Sequence, residues 1–153
     1  MEVTRGTLYA VYVLIYFHLR PKGEMADLSL LSDTLDIPNS YLSKVLQQLH
    51  KGGYITSQMG SKGGYRLARD VEKTTMKEVM HIIQGDPHLQ ECLIEDFRCD
   101  RFKKCSVIKH VRNVQEVVNN MLDQLTIGQL ALEMQFKEQQ QQKLLGQVSL
   151  GVQ

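Results

Sequence analysis

The stretch from residue 38 to residue 69 constrains the fold of this chain more than any other. Leu42, Val45, Leu46 and Leu49 recur at the spacing of one helical face. Pro38 suits the first turn of such a helix, and Gly52-Gly53 stops it. Two strand-like runs follow at 54–57 and 65–68, around a loop at 59–64 that carries Gly60, Lys62, Gly63 and Gly64. This pattern predicts a β-hairpin with a basic, glycine-rich tip.

The segments on either side extend the pattern. Leu8, Val11, Tyr12, Ile15 and Leu19 predict a first amphipathic helix with that set turned inward, ended by Pro21 and Gly23. Ser29 is the expected cap of a short second helix carrying Leu31 and Leu35 inward, and Asp36 falls in the turn before the third. Three helices followed by a two-stranded hairpin is the order of a winged helix-turn-helix, whose third helix enters the major groove of DNA. A fourth helix is expected at 75–84, with Met76, Val79, Met80 and Ile83 inward, broken by Gly85, Asp86 and Pro87. The fold class expected is mainly α, with a small hairpin wing.

Charge supports that order. The formal net charge of +1 over 153 residues gives no hint of a nucleic-acid partner. Yet residues 38–69 contain no Asp or Glu and hold Lys44, Lys51, Lys62, Arg66 and Arg69. A solvated basic face, a surface tyrosine and turn-forming glycines would explain each feature taken singly. Together they meet what a DNA-reading helix requires: an apolar inner face, a hydrogen-bonding outer face and no carboxylate to repel phosphate. The expected DNA-binding set is Asn39, Ser40, Tyr41, Ser43, Lys44 and Gln47 on the helix, with Lys62, Gly63 and Arg66 on the wing. Tyr41 and Lys44 are expected at the backbone, and the small polar groups at base edges.

Beyond the fourth helix, a long helix opens near Ser106. Val107, Val111, Val114, Val118, Met121 and Leu125 follow 4-3-4-3-4 spacing. A helix packed on its own domain would explain the row, but a narrow seam outside the compact N-terminal unit points to a second copy, hence a homodimer. Thr126 is the expected cap of a last helix to about residue 136. The organisation expected is a winged-helix domain at 1–84, a cysteine-bearing sensor loop at 85–105, dimerisation and C-terminal helices at 106–136, and a disordered Gln-rich tail at 137–153. No apolar run reaches the ~20 residues that span a bilayer, and no secretory signal opens the chain, so a cytoplasmic protein is expected. There is no phosphate-cradling loop, metal-hydrolase motif or nucleophile–base pair, so no enzyme is expected.

Cys92, Cys99 and Cys105 are separated by six and five residues, too wide for a zinc knuckle and odd in number for a disulfide framework. Three thiolates in one short loop suit an iron–sulfur cluster given a fourth ligand; free or redox-active thiols are the alternative.

The run LSLLSDTLDIPNSYLSKVLQQLHKGGYITSQMGSKGGYRLAR, followed by TTMKEVMHIIQGD, resembles the Rrf2 family of bacterial transcription regulators. YAV near Tyr9 and the late TIGQLA are also similar, and the likeness covers residues 1–136. Its most specific parts are IPNSYLSKVLQQL and GSKGGYRLAR. Asp36 stands where the family usually has glycine, and Asp tolerates the left-handed backbone that position needs. The resemblance implies a dimer whose long helix crosses its partner and which controls a promoter from an operator.

It also implies a cluster at Cys92, Cys99 and Cys105, since cluster-binding members carry three cysteines in this region. The fourth ligand stays open. One group of members places a histidine where this chain has Ile108, and another a first-helix carboxylate where it has Leu8. His88, Glu91, Glu95, Asp96, Asp100, His110, Glu2 of a second copy, or a small exogenous ligand remain, as does the choice between a two-iron and a four-iron cluster. The implied signal is iron, cluster supply, redox state or nitric oxide. The alternative is a thiol-redox or protein-partnered regulator without a cluster.

Overall fold

The computed structural model describes residues 2–60, 63–86 and 105–137. The elements are α1 (Arg5–His18), α2 (Leu28–Leu35), α3 (Asn39–Lys51), β1 (Ile55–Gln58), β2 (Gly64–Leu67), α4 (Met76–Gln84) and α5 (Ser106–Gln124). A further helix, α6, occupies residues 127–137. The two strands form an antiparallel hairpin in which Ile55 pairs with Leu67 and Gln58 with Gly64, one residue from the expected bounds on each side. Three helices, a hairpin and a fourth helix thus appear in the order expected.

The helix ends show why the segments fold as they do. Thr4 caps α1, its Oγ1 accepting from the Thr7 amide. Asp27, two residues before the expected Ser29, caps α2 by accepting from the Leu30 amide at 2.8 Å. The helix starts early because an isolated bridge holds Ala26 extended against Tyr65, through reciprocal bonds of 3.0 and 2.8 Å. Asp36 ends α2 with φ 52° and ψ 47°, the left-handed backbone that the family resemblance implied at this position. Thr75 and Glu78 close a capping box at α4, satisfying two amides that the helix cannot.

The core surrounds α1, which packs against α2, α3, α4 and β2. Ala10, Val11, Val13, Leu14, Ile15, Tyr16 and Phe17 are all buried. The expected inward stripe is therefore only half right: Val11 and Ile15 are inside, whereas Leu8, Tyr12 and Leu19 are exposed. The helix is apolar on nearly every face, so periodicity could not choose its inner side; the elements packed around it do. Leu31, Ile37, Leu42, Val45, Leu46, Leu49, Ile55, Val71, Val79 and Met80 belong to the same core.

The chain returns to this core at its far end. The Leu125 carbonyl accepts from the Met76 amide at 2.8 Å, and the Ile127 and Gly128 amides donate to Thr74 and Glu72. Ile127 and Ala131 are buried in the same cluster. Grouping 106–136 apart from the winged helix does not anticipate this packing. Consequently α5 carries two apolar faces. Ile108 is buried, and Val111, Val118, Leu122 and Leu125 are half-buried, the last two packed on the chain's own core. Val107, Val114, Val117 and Met121 face outward, 68, 53, 58 and 66 % exposed. The 4-3-4-3-4 row straddles the boundary between the two faces. Among the described residues no helix is long and apolar enough to cross a membrane.

Candidate nucleic-acid interface

Helix α3 buries its stripe completely, with Leu42, Val45, Leu46 and Leu49 at most 1 % exposed. That anchoring leaves Asn39, Ser40, Tyr41, Lys44 and Gln47 on the exposed side and Ser43 half-buried. Pro38 offers no side chain to cap the first turn, so the helix begins without a side-chain acceptor for its amides. Unsatisfied amides and the positive end of the helix dipole favour an anion there. Tyr41 is braced: its ring stands edge-on to that of Tyr9, with centroids 5.3 Å apart and planes at 89°.

The wing follows directly. The Gly63 amide donates to the Gly60 carbonyl at 2.9 Å and closes the tip. A Cβ on Gly63 would fall 2.3 Å from the Gln58 carbonyl oxygen, so only glycine fits the turn. Arg66 is exposed on β2, Met59 projects fully into solvent beside Gly60, and Lys62 lies outside the described residues. Gly64 lets β2 press on the α1–α2 connection, where a Cβ would meet the Ala26 carbonyl at 2.6 Å. At the base of the hairpin the Arg69 guanidinium sits 4.0 Å above the Tyr54 ring. Burial pushes the Tyr54 phenol above its ordinary value, and the nearby Arg69 charge opposes that rise.

Two residues absent from the expected set matter to this surface. Gln48 donates from Nε2 to the Ile83 carbonyl of α4 at 3.0 Å, tying α3 to the end of α4. Gln84 receives Thr4, the cap of α1, and Thr7 within it on a single oxygen. No local pattern could reveal either, because their partners are 35 to 82 positions away.

Of the expected cluster ligands, Cys105 is described, and Cys92 and Cys99 lie outside the described residues. Cys105 is the N-cap of α5, half-buried, in no disulfide and without a cap hydrogen bond. Among the described residues its sulfur has no partner, and thiols are a donor type suited to iron. Ile108 is buried on α5, Leu8 is exposed on α1, and His110 and Glu2 are exposed. Among the described residues no three His, Cys, Asp or Glu side chains converge as a metal site.

Residues 3–133 match the family model for Rrf2, "Iron-dependent Transcriptional regulator". The chain belongs to the Rrf2 family. Members of this family are transcription regulators and not enzymes. Relatives of the Rrf2 chain include the HTH-type transcriptional regulator NsrR of Bacillus subtilis, 30 % identical over 80 % of each chain. The protein of the same name in Bacillus licheniformis is 30 % identical over 86 % of this chain and 93 % of its own. Two solved structures share the fold. CymR, the global cysteine regulator of B. subtilis, superposes with a TM-score of 0.69 at 20 % identity, covering 87 % of this chain and 98 % of that one. The IscR of T. potens gives a TM-score of 0.66 at 19 % identity over 88 % of each. The mainly helical winged helix expected from the residues is therefore the fold of this Rrf2 protein.

Proposed function

We propose that the protein is a homodimeric, sequence-specific DNA-binding transcription regulator whose operator affinity is set by an iron–sulfur cluster held by Cys92, Cys99 and Cys105. The observation that carries the DNA reading is α3, whose apolar face is wholly buried while its exposed side is polar and free of carboxylates. Asn39, Ser40, Ser43 and Gln47 are the groups for base edges; Tyr41, Lys44, Lys62 and Arg66 are those for phosphate. Gly63 lets the wing backbone approach closely. The outward apolar row of α5 is the surface offered to the second copy.

The cluster reading draws its support from the three cysteines, from the uncommitted Cys105 thiol and from the iron in the family's description. A bound cluster supplies a group whose gain, loss or reaction with oxidant or nitric oxide reports the cell's state. The residues do the rest: the cysteines stand between α4 and α5 in the chain, so ligation there constrains the ends of both helices. A coupling of ~1–3 kcal/mol between that segment and α3 changes operator affinity about 5- to 150-fold.

Anaerobic purification followed by iron, sulfide and visible-absorbance measurements tests the cluster. Each single Cys→Ala change at 92, 99 and 105 should remove most of the iron, with the fold retained. Wild-type iron and absorbance in all three variants would exclude these ligands. Iron-free wild-type protein whose DNA affinity follows thiol oxidation would establish the thiol sensor instead. For DNA, Lys44→Ala should weaken binding to a selected operator across sequences and flatten its salt dependence.

A further inference from the structure

The last turn of α4 is where three elements meet. A Cβ on Gly6 of α1 would come within 3.2 Å of Ile83 Cγ2 and 3.8 Å of the Tyr41 hydroxyl of α3, so these helices close at van der Waals distance. Helix ends leave their last carbonyls without intrahelical partners. Gln48 of α3 fills one such position, donating to the Ile83 carbonyl at 3.0 Å. The next residue, Gln84, gathers the start of α1: its Oε1 accepts from the Thr4 amide at 3.0 Å, the Thr4 hydroxyl at 2.9 Å and the Thr7 hydroxyl at 2.6 Å. Its Nε2 donates to the Glu2 carbonyl at 2.7 Å. Thr7 is fully buried, so its hydroxyl has no water to turn to. Immediately beyond, Gly85 takes φ 85° and ends the helix. From there the chain runs on to Cys92.

We propose that Gln48 and Gln84 are positioning residues that transmit the state of the cysteine-bearing segment to the DNA-reading helix. A rotation or fraying of the turn at 83–84 withdraws the acceptor from Gln48 and the anchor from Thr4 and Thr7. Both losses converge on α3, the first directly and the second through Gly6, Tyr9 and the ring of Tyr41. A rigid winged helix needs no such dependence; one whose affinity answers to residues 85–105 does. The inference rests on α3 being the DNA-reading helix and is independent of whether a cluster is bound.

The test uses the full-length, reduced, metal-free protein. All three cysteines of the chain lie at 92, 99 and 105, so N-ethylmaleimide marks that segment alone. Two readouts are taken before and after alkylation: operator affinity, and amide hydrogen exchange over α3 without DNA. Alkylation should shift wild-type affinity at least ~5-fold and alter α3 exchange. Gln48→Met and Gln84→Met keep side-chain length and lose the polar ends; in both, the shift should fall below ~2-fold, or ~0.4 kcal/mol of coupling. Gln84→Glu keeps the acceptor for Thr4 and Thr7 and should restore the response.

A merely structural role would lower the thermal midpoint of the variants and leave the alkylation ratio at its wild-type value, which overturns the proposal. So does a wild-type protein that ignores alkylation in both readouts. If Gln84→Met fails to fold, Gln48→Met carries the test, since it deletes a single bond. Absence of operator binding with an α3 exchange response that the variants abolish would sink the DNA reading and sustain the relay. Absence of iron after anaerobic purification bears on the cluster alone.

Discussion

Replacing Gly63 by alanine should disable the wing while sparing the fold. The added Cβ would lie 2.3 Å from the Gln58 carbonyl oxygen and 2.8 Å from that of Gly60. Carbon and carbonyl oxygen settle at ~3.3 Å or more, so about 1 Å must be found, and both obstacles are backbone. The Gly63–Gly60 hydrogen bond of 2.9 Å spans the same turn and is the first contact to give. Losing it costs ~0.5–1.5 kcal/mol, and overpacking adds ~1–3 kcal/mol. Opening the tip relieves that strain at less cost than disturbing the core. A two-stranded hairpin is marginal by itself, and no described residue between 56 and 70 is buried.

With the overpacking relieved, only the lost bond remains, so the thermal midpoint of Gly63→Ala should fall by no more than ~6 °C, the effect of ~1.5 kcal/mol in a chain of this size. Operator affinity, read by fluorescence anisotropy, should fall about 10-fold, or ~1.4 kcal/mol. Gly60→Ala is the informative companion. Gly60 has φ 120° but open space where a Cβ would go, so its cost is conformational alone. A folded Gly63→Ala protein that binds operator with wild-type affinity would refute the reasoning, because the wing would then play no part in docking.

Other outcomes follow from the same structure. Val114→Asp with Val117→Asp should turn a dimer into folded monomers in sedimentation, since both sites are more than half exposed in the single chain; an unaltered dimer would place the interface elsewhere. Thr75→Ala removes the capping box of α4 and should cost ~1 kcal/mol, a fall of ~2–4 °C in thermal midpoint. A melting curve identical to wild type would show the cap to be redundant. Tyr54 titrates above its ordinary value because burial disfavours the phenolate. Its stabilising contribution is therefore complete below the unfolded value of ~10 and is lost as pH rises through the raised folded value. Urea unfolding of Tyr54→Phe should lack that alkaline loss, and an identical pH profile would contradict the assignment.

The sequence by itself determined the elements whose signals are local. The α3 stripe of Leu42, Val45, Leu46 and Leu49 needs only one buried face, and a 3.6-residue period reports one face faithfully. Gly52-Gly53, the glycine-rich tip and Asp36 are likewise local, because turn geometry is decided within a few residues. The exposed side of α3 follows from its buried side, so most of the candidate DNA surface was legible too.

Where a helix is apolar on two faces, periodicity loses its power. In α1, the packing of α2, α3, α4 and β2 decided that Ala10, Val13, Leu14 and Phe17 go inside and Leu8, Tyr12 and Leu19 stay out. In α5, the return of residues 125–131 to the core split one valine row into an inner and an outer face. The cap of α2 moved to Asp27 because Ala26 is held by a strand residue 39 positions later. The roles of Gln48 and Gln84 arise only where α1, α3 and α4 converge. Tertiary structure decided these points because each depends on a partner that is distant in the chain and adjacent in space.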